Sequence, residues 1–255
     1  MQTSGFTNAP VSQLLVFWVV VASVLASVTD TKYYFYLQIV PQISQWGQFW
    51  RLLVWQTCYT NSTEVLFAAM TFYHLRVIER LWGSRKFASF LLLALPFSLL
   101  LPPFLLAILR PLTFGRLNYL PAGPTPLIFA ILAQYQAAIP SMYTYRIGTA
   151  SPTPDPPQIP SATITLSSKS TNYFLPLQLA LSQFPSAILP AAVGWLIGNA
   201  YRSEILPGTS WRVPGWLVGQ GSRRDARRVE ALRRRMEETE EAIATGVESP
   251  RARRP

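Results

Sequence analysis

The chain has 255 residues, half of them hydrophobic and only 13% charged, with 22 Lys and Arg against 12 Asp and Glu and a formal net charge of +10. A soluble domain carries about 25% charged residues, so the composition excludes an ordinary water-soluble globule and points to a membrane body. Ten of the basic and seven of the acidic residues lie in residues 223–255, so the basic excess is membrane flank and tail, and no nucleic-acid partner is expected.

A helical span needs about 20 mostly apolar residues. Six stretches qualify in chain order, at about 11–28, 63–82, 87–109, 119–139, 171–184 and 185–202. The first, VSQLLVFWVVVASVLASV, has neither a basic leader nor a cleavage motif and reads as a retained span. The loop that follows holds nine Tyr, Phe or Trp residues and the pair Trp50-Arg51, a composition suited to the headgroup region. Asn61-Ser62-Thr63 matches a glycosylation sequon but abuts the second stretch, where it reads as a helix start. That stretch carries His74, the one histidine of the chain, and closes on RVIERLWGSRKFASF.

The fourth stretch opens on Gly123-Pro124-Thr125-Pro126, an unusual start for an apolar helix. Residues 146–170 are rich in Pro, Ser and Thr and predict a disordered loop. The fifth and sixth stretches are short and abut at Gln183-Phe184-Pro185. Residues 206–222, with Trp211 and Trp216, read as an interfacial linker, and 223–255 as a charged cytosolic tail with one solvated helix. Arg76, Arg80, Arg85, Lys86, Arg146, Lys169, Arg202 and Arg212 fall on one side of six spans, against Lys32, Arg51, Arg110 and Arg116 on the other. The positive-inside rule places both termini in the cytosol. The lone Cys58 cannot form an intrachain disulfide. No cofactor and no metal site is expected.

Four patterns then stand in order: Trp50-Arg51; Glu79 with Gly83-Ser84-Arg85; GPTPLIFAIL from Gly123; and Gly194 with Gly198. Together they resemble the rhomboid superfamily of six-span membrane proteins. The resemblance implies an all-α, six-transmembrane-helix body over residues 1–205, with a cytosolic C-terminal helix beyond it. On the rhomboid pattern Gly123 matches the first Gly of Gly-x-Ser-Gly, Thr125 takes the nucleophile's place and Pro126 the second Gly. Ala191 takes the place of the base histidine. Thr63 and Phe67 fall where the oxyanion donors stand. Nucleophilic attack needs a proton acceptor within hydrogen-bond reach and donors for the oxyanion, and alanine supplies neither. The catalytic positions are degenerate, and the chain reads as a pseudoprotease and not an enzyme.

Within the superfamily, ERLWGSRKFASFLL, GFTNAPVSQLLV and SWRVPGWLVG are similar to a branch of pseudoproteases. That branch comprises the second-subunit family of fungal Dsc (defective for SREBP cleavage) E3 ubiquitin ligase complexes and its mammalian ER counterpart with a ubiquitin-associated (UBA) domain. The resemblance implies an adaptor or substrate receptor in membrane-protein quality control (ERAD) of the endoplasmic reticulum, Golgi or endosome. In some fungi it implies activation of the sterol-regulated factor SREBP. Implied partners are a multispan RING ligase, a ubiquitin-like-domain subunit, a UBX-domain protein that recruits an AAA-ATPase segregase, and transmembrane clients. The tail after Ser222 shows no apolar core for a UBA domain, a departure from the mammalian pattern. A membrane scaffold unrelated to ubiquitin and a residual intramembrane protease using Thr125 are the competing readings.

Overall fold

Helix α1 (Pro10–Val28) starts with proline at a position whose N–H has no helical acceptor, so its absence is harmless. The next two N–H groups are captured from far along the chain: Val11 N and Ser12 N donate to the Glu79 carboxylate at 3.0 and 2.7 Å. The computed structural model describes residues 5–115, 117–140, 143–147, 164–167, 169–208, 211–214, 230–234 and 236–237. Arg116, Trp216, most of the linker and tail, and the middle of the Pro/Ser/Thr-rich loop lie outside them. The chain divides into two compact units, Met1–Arg212 and Val213–Pro255.

In the first unit, an aromatic loop after α1 carries a two-residue strand β1 (Leu37–Gln38) and a short helix α2 (Arg51–Val54). Helix α3 (Ser62–Trp82) buries Glu64, Ala68, Thr71, Phe72, Leu75, Ile78 and Glu79, a stripe at three- and four-residue spacing that faces its neighbours. It ends at Gly83, whose φ of +81° suits glycine and turns the chain straight into α4 (Ser84–Leu112).

Helix α4 is 29 residues long and contains four prolines, at 96, 102, 103 and 111. Each interior proline frees the carbonyl four residues before it. Two of these freed carbonyls are claimed by the aromatic loop: Gln56 Nε2 donates to Ser98 O, four before Pro102, and Trp55 Nε1 donates to Leu99 O at 3.4 Å, four before Pro103. The loop therefore repairs the helix that its own packing covers.

Strand β2 (Tyr119–Leu120) pairs antiparallel with β1, Leu37 opposite Leu120. Helix α5 (Thr125–Ala138) follows, buried on nearly every side, and is the central element. Helices α6 (Ser170–Leu181) and α7 (Ile188–Arg202) complete the unit. Their cores merge in one cluster that includes Phe72, Phe87, Phe90, Ile128, Ile131, Leu179 and Ile197. Gly198 meets α5 so closely that a Cβ there would stand 2.5 Å from Ala130 O and 2.7 Å from Ala133 Cβ, and Gly194 lies on the Pro126 carbonyl. Small residues one turn apart permit this backbone approach.

The six longer helices of the first unit coincide with the six apolar stretches, and the described residues are mostly helical. Two of them, α1 and α4, are long and apolar enough to cross a membrane by themselves. The other four do not meet that measure. Glu64, His74, Arg76, Glu79 and Arg80 lower the hydropathy of α3. Helices α5, α6 and α7 have 14, 12 and 15 residues, because β2 and the Gly-Pro turn take the start of the fourth stretch and the Phe184-Pro185 bend separates the last two.

Two corrections concern irregular segments. The fold is not purely helical. The ends of the Pro/Ser/Thr-rich stretch pair as antiparallel strands, β3 (Thr144–Ile147) with β4 (Ile164–Ser167), where disorder was expected. Thr144, Tyr145 and Ile147 on one side and Ile164 and Thr165 on the other are β-branched or aromatic, types that suit a pleated ribbon. In the second unit, residues 230–234 and 236–237 are helical, with an exposed Arg233–Glu237 pair at 3.1 Å.

Candidate functional site

The Gly123-Pro124-Thr125-Pro126 turn forms the head of α5. Pro124 is the cap residue and Pro126 lies in the first turn, where N–H groups have no helical acceptor, so neither proline breaks a helical bond. Gly123, at φ +131°, presses on the face of the Tyr59 ring, with no room for a side chain, and its N–H donates to Trp55 O at 2.7 Å. The turn is thus clamped against the segment that precedes α3.

Thr125 is 5% exposed, and its hydroxyl is 3.1 Å from that of Tyr59. Tyr59 is itself buried, and its N–H donates to Ser23 Oγ on α1 at 3.0 Å. Burial first, and then the nearby Glu64 carboxylate, push the Tyr59 phenol well above its ordinary range, although the Thr125 bond acts the other way. A phenol of that kind stays protonated at neutral pH and has no capacity to remove the Thr125 proton.

Ala191 is buried on the inner face of α7, one turn before Gly194, which contacts the Pro126 carbonyl. The positions matched to nucleophile and base therefore lie on the two most closely packed helices. The first turn of α3 differs from the rhomboid alignment of Thr63 and Phe67. Thr63 is exposed, and Phe67 is partly buried against the core. The inward position belongs to Glu64, 2% exposed, which the sequence reading did not single out. Its Oε1 accepts from Gln183 Nε2 at 2.7 Å, Ser182 Oγ at 2.9 Å and Asn61 Nδ2 at 3.2 Å. The available signal was an acid three residues after Asn61, at the start of an apolar helix. His74 is on the far half of α3, its Nδ1 2.7 Å from Met70 O.

The remaining motif residues organise the scaffold. Arg51, 1% exposed, donates to Gln48 Oε1 at 2.6 Å and to the carbonyls of Tyr33 and Tyr36 at 2.9 and 3.3 Å. Its guanidinium lies 5.0 to 5.7 Å from the ring centres of Tyr33, Trp50 and Tyr34. Glu79 caps α1 as described, and Arg80 binds the segment before α1 through Thr7 O and Gly5 O. Ser84 is buried at the start of α4, and Arg85 O accepts from Ser89 Oγ at 2.7 Å.

These features define a helical membrane protein built on the rhomboid-like pattern, with a buried, hydrogen-bonded threonine at the head of its central helix. The chain belongs to the family described as eukaryotic integral membrane protein (DUF1751), whose model matches residues 13–203. It is 35% identical over 208 residues to "DSC E3 ubiquitin ligase complex subunit 2" of Schizosaccharomyces pombe, a match covering 82% of this chain and 52% of that protein. It is 27% identical over 220 residues to "Rhomboid-like protein 18" of Arabidopsis thaliana, covering 86% of this chain and 70% of the relative. The same identity and length hold for the human "Ubiquitin-associated domain-containing protein 2", with 85% and 60% covered. The chain thus spans about half the length of the fission-yeast relative. No solved structure matches.

Proposed function

We propose that the chain is a non-catalytic, rhomboid-like subunit of a membrane-embedded E3 ubiquitin ligase complex of the Dsc type. The observation that carries the reading is the 35% identity with the fission-yeast ligase-complex subunit, sustained over 82% of this chain. The site's chemistry supports the absence of catalysis: Thr125 is bonded to a protonated phenol, and alanine stands at position 191.

In this reading residues 1–205 form a body in which six helices cross the membrane, followed by the 206–222 linker and a charged tail, with both termini cytosolic. It resides in the endoplasmic reticulum, Golgi or endosome. It presents transmembrane clients to a multispan RING ligase beside a ubiquitin-like-domain subunit and a UBX-domain protein that recruits an AAA-ATPase. In some fungi the client is SREBP. At about 1.5 Å rise per residue, α5, α6 and α7 reach only about 18–23 Å against a hydrocarbon core of about 30 Å. Short helices thin the surrounding bilayer, which favours clients with short or polar membrane segments.

The test is purification of the tagged chain from native membranes in a mild detergent, followed by identification of the bound proteins. A multispan RING ligase and a UBX-domain protein are expected. Recovery of the intact membrane body without any ligase would overturn the reading.

A further inference from the structure

The level at which α3 ends, α5 ends and α6 begins holds a cavity of about 590 Å³ that none of the rhomboid motifs occupies. Arg76 and His74 of α3 line it, with Tyr135 of α5 and with Lys169 and Asn172 at the start of α6. Among the described residues no Asp or Glu lines it, and those walls carry the permanent positive charges of Arg76 and Lys169 beside the His74 imidazole.

Arg76 is the unusual member. It is 7% exposed, yet its side chain has one hydrogen bond, from Nη1 to Tyr73 O at 2.6 Å, and one ring, Tyr73, at 3.6 Å. Its Nε is buried without an acceptor. The other buried arginine, Arg51, has three acceptors and three rings. A buried guanidinium short of acceptors is strongly unfavourable unless a further acceptor comes to it, and an anion is the strongest one. Lys169 Nζ is turned to Gln136 O at 2.7 Å, near the carbonyl end of α5, within reach of the same space. The first turn of α6, a 12-residue helix, adds the positive end of its dipole.

We propose that this cavity holds the phosphate of an anionic glycerophospholipid. The donor set suits a phosphate, with a guanidinium, an ammonium and the Asn172 amide on adjoining walls. Val77, Leu81, Ala138, Ile139 and Pro140 supply an apolar wall for the glycerol and first methylene groups, which a free phosphate does not need. A zwitterionic choline headgroup is disfavoured, because its quaternary ammonium would meet two cations. Basic pockets between helix ends are a recurrent way of holding anionic headgroups. The inference rests on the chain's membership of an integral membrane family and is independent of any ligase role.

The test uses the full chain purified in a non-ionic detergent, with binding followed by native mass spectrometry and by the shift in thermal unfolding. The probes are dioctanoyl phosphatidic acid, dioctanoyl phosphatidylcholine and inorganic phosphate. Phosphatidic acid is expected to bind, phosphatidylcholine at least ten-fold more weakly, and inorganic phosphate not to compete at the same concentration. Arg76→Gln and Lys169→Gln should each weaken phosphatidic acid binding about ten-fold, as loss of one charge-assisted bond implies. Lys86→Gln, which removes a cation placed over the Trp82 ring outside the cavity, should leave it unchanged. Should Arg76→Gln fail to fold, Arg76→Lys and Lys169→Gln carry the comparison. Equal binding of both lipids, or an equal effect of Lys86→Gln, would overturn the proposal. Full competition by inorganic phosphate would replace the lipid with a free anion.

Discussion

The side-chain amide of Gln56 donates to the backbone carbonyl of Ser98, the acceptor that Pro102 leaves without its helical N–H. Ser98 is fully buried, and its hydroxyl donates back to Gln56 Oε1 at 3.1 Å. The pair joins the aromatic loop to the middle of α4, and it exists because of the proline.

Gln56→Ala should therefore lower stability by about 1–3 kcal/mol, the range for a buried acceptor left unpaired. Pro102→Ala restores an N–H for that carbonyl, so Gln56→Ala should be about 1 kcal/mol or more cheaper in that background. Thermal unfolding of the four purified proteins in detergent measures the coupling. Additive losses would mean that Gln56 acts through something other than the freed carbonyl.

Thr125 and Tyr59 share one buried hydrogen bond. Thr125→Val and Tyr59→Phe should each lower stability by about 1 kcal/mol, and the double variant by little more than either. On the proposed ligase reading, Thr125→Val should leave client turnover in cells unchanged. A stable Thr125→Val protein that no longer supports client turnover would give the hydroxyl a functional role.

Gly198 packs on the α5 backbone so closely that an added Cβ would stand 2.5 Å from Ala130 O, which relief would have to move. Gly198→Ala should destabilise by about 1–3 kcal/mol through overpacking, whereas Leu196→Ala, two residues earlier on the opposite face of α7 and 63% exposed, should be tolerated. Comparing the thermal midpoints of the two variants with that of the parent decides the point.

Cys58 lies in the loop before α3, fully buried, and burial raises its thiol from 9.0 to about 11 although the Thr57 hydroxyl bond opposes this. Two pH units mean about a hundred-fold less thiolate at pH 8, so maleimide labelling of the folded chain should be at least that much slower than after denaturation. The neutral thiol is the form the fold favours. The corresponding stability is complete below pH 9 and is lost as pH rises towards 11. Labelling at equal rates in the folded and denatured chain would place Cys58 at the surface.

The apolar stretches that became α1, α3 and α4 could be read from composition because long runs of one polarity need no knowledge of partners. The head of α5 was legible for another reason: two prolines and a glycine constrain the backbone locally. What escaped were relationships across sequence distance. Nothing near Leu37 announces Leu120 as its strand partner, and nothing near Gln56 announces Ser98. Glu64 was hidden because two of its donors, Ser182 and Gln183, lie more than a hundred residues away. The brevity of α6 and α7 was legible, because Phe184-Pro185 marks the break between them. Thr63 was placed by motif spacing, and a shift of one residue on a helix turns a side chain by about 100°, enough to exchange it with Glu64.

The capture of the α1 N–H groups by Glu79 has a consequence for the order in which the protein is made. Synthesis runs from the N-terminus, so α1 leaves the ribosome long before residue 79 is added. Until then its first turn must satisfy Val11 N and Ser12 N with water or lipid headgroups. Helix α1 is therefore anchored only when the far end of α3 returns to its start. A chain interrupted between α1 and α3 would leave the two N–H groups of α1 without their acceptor.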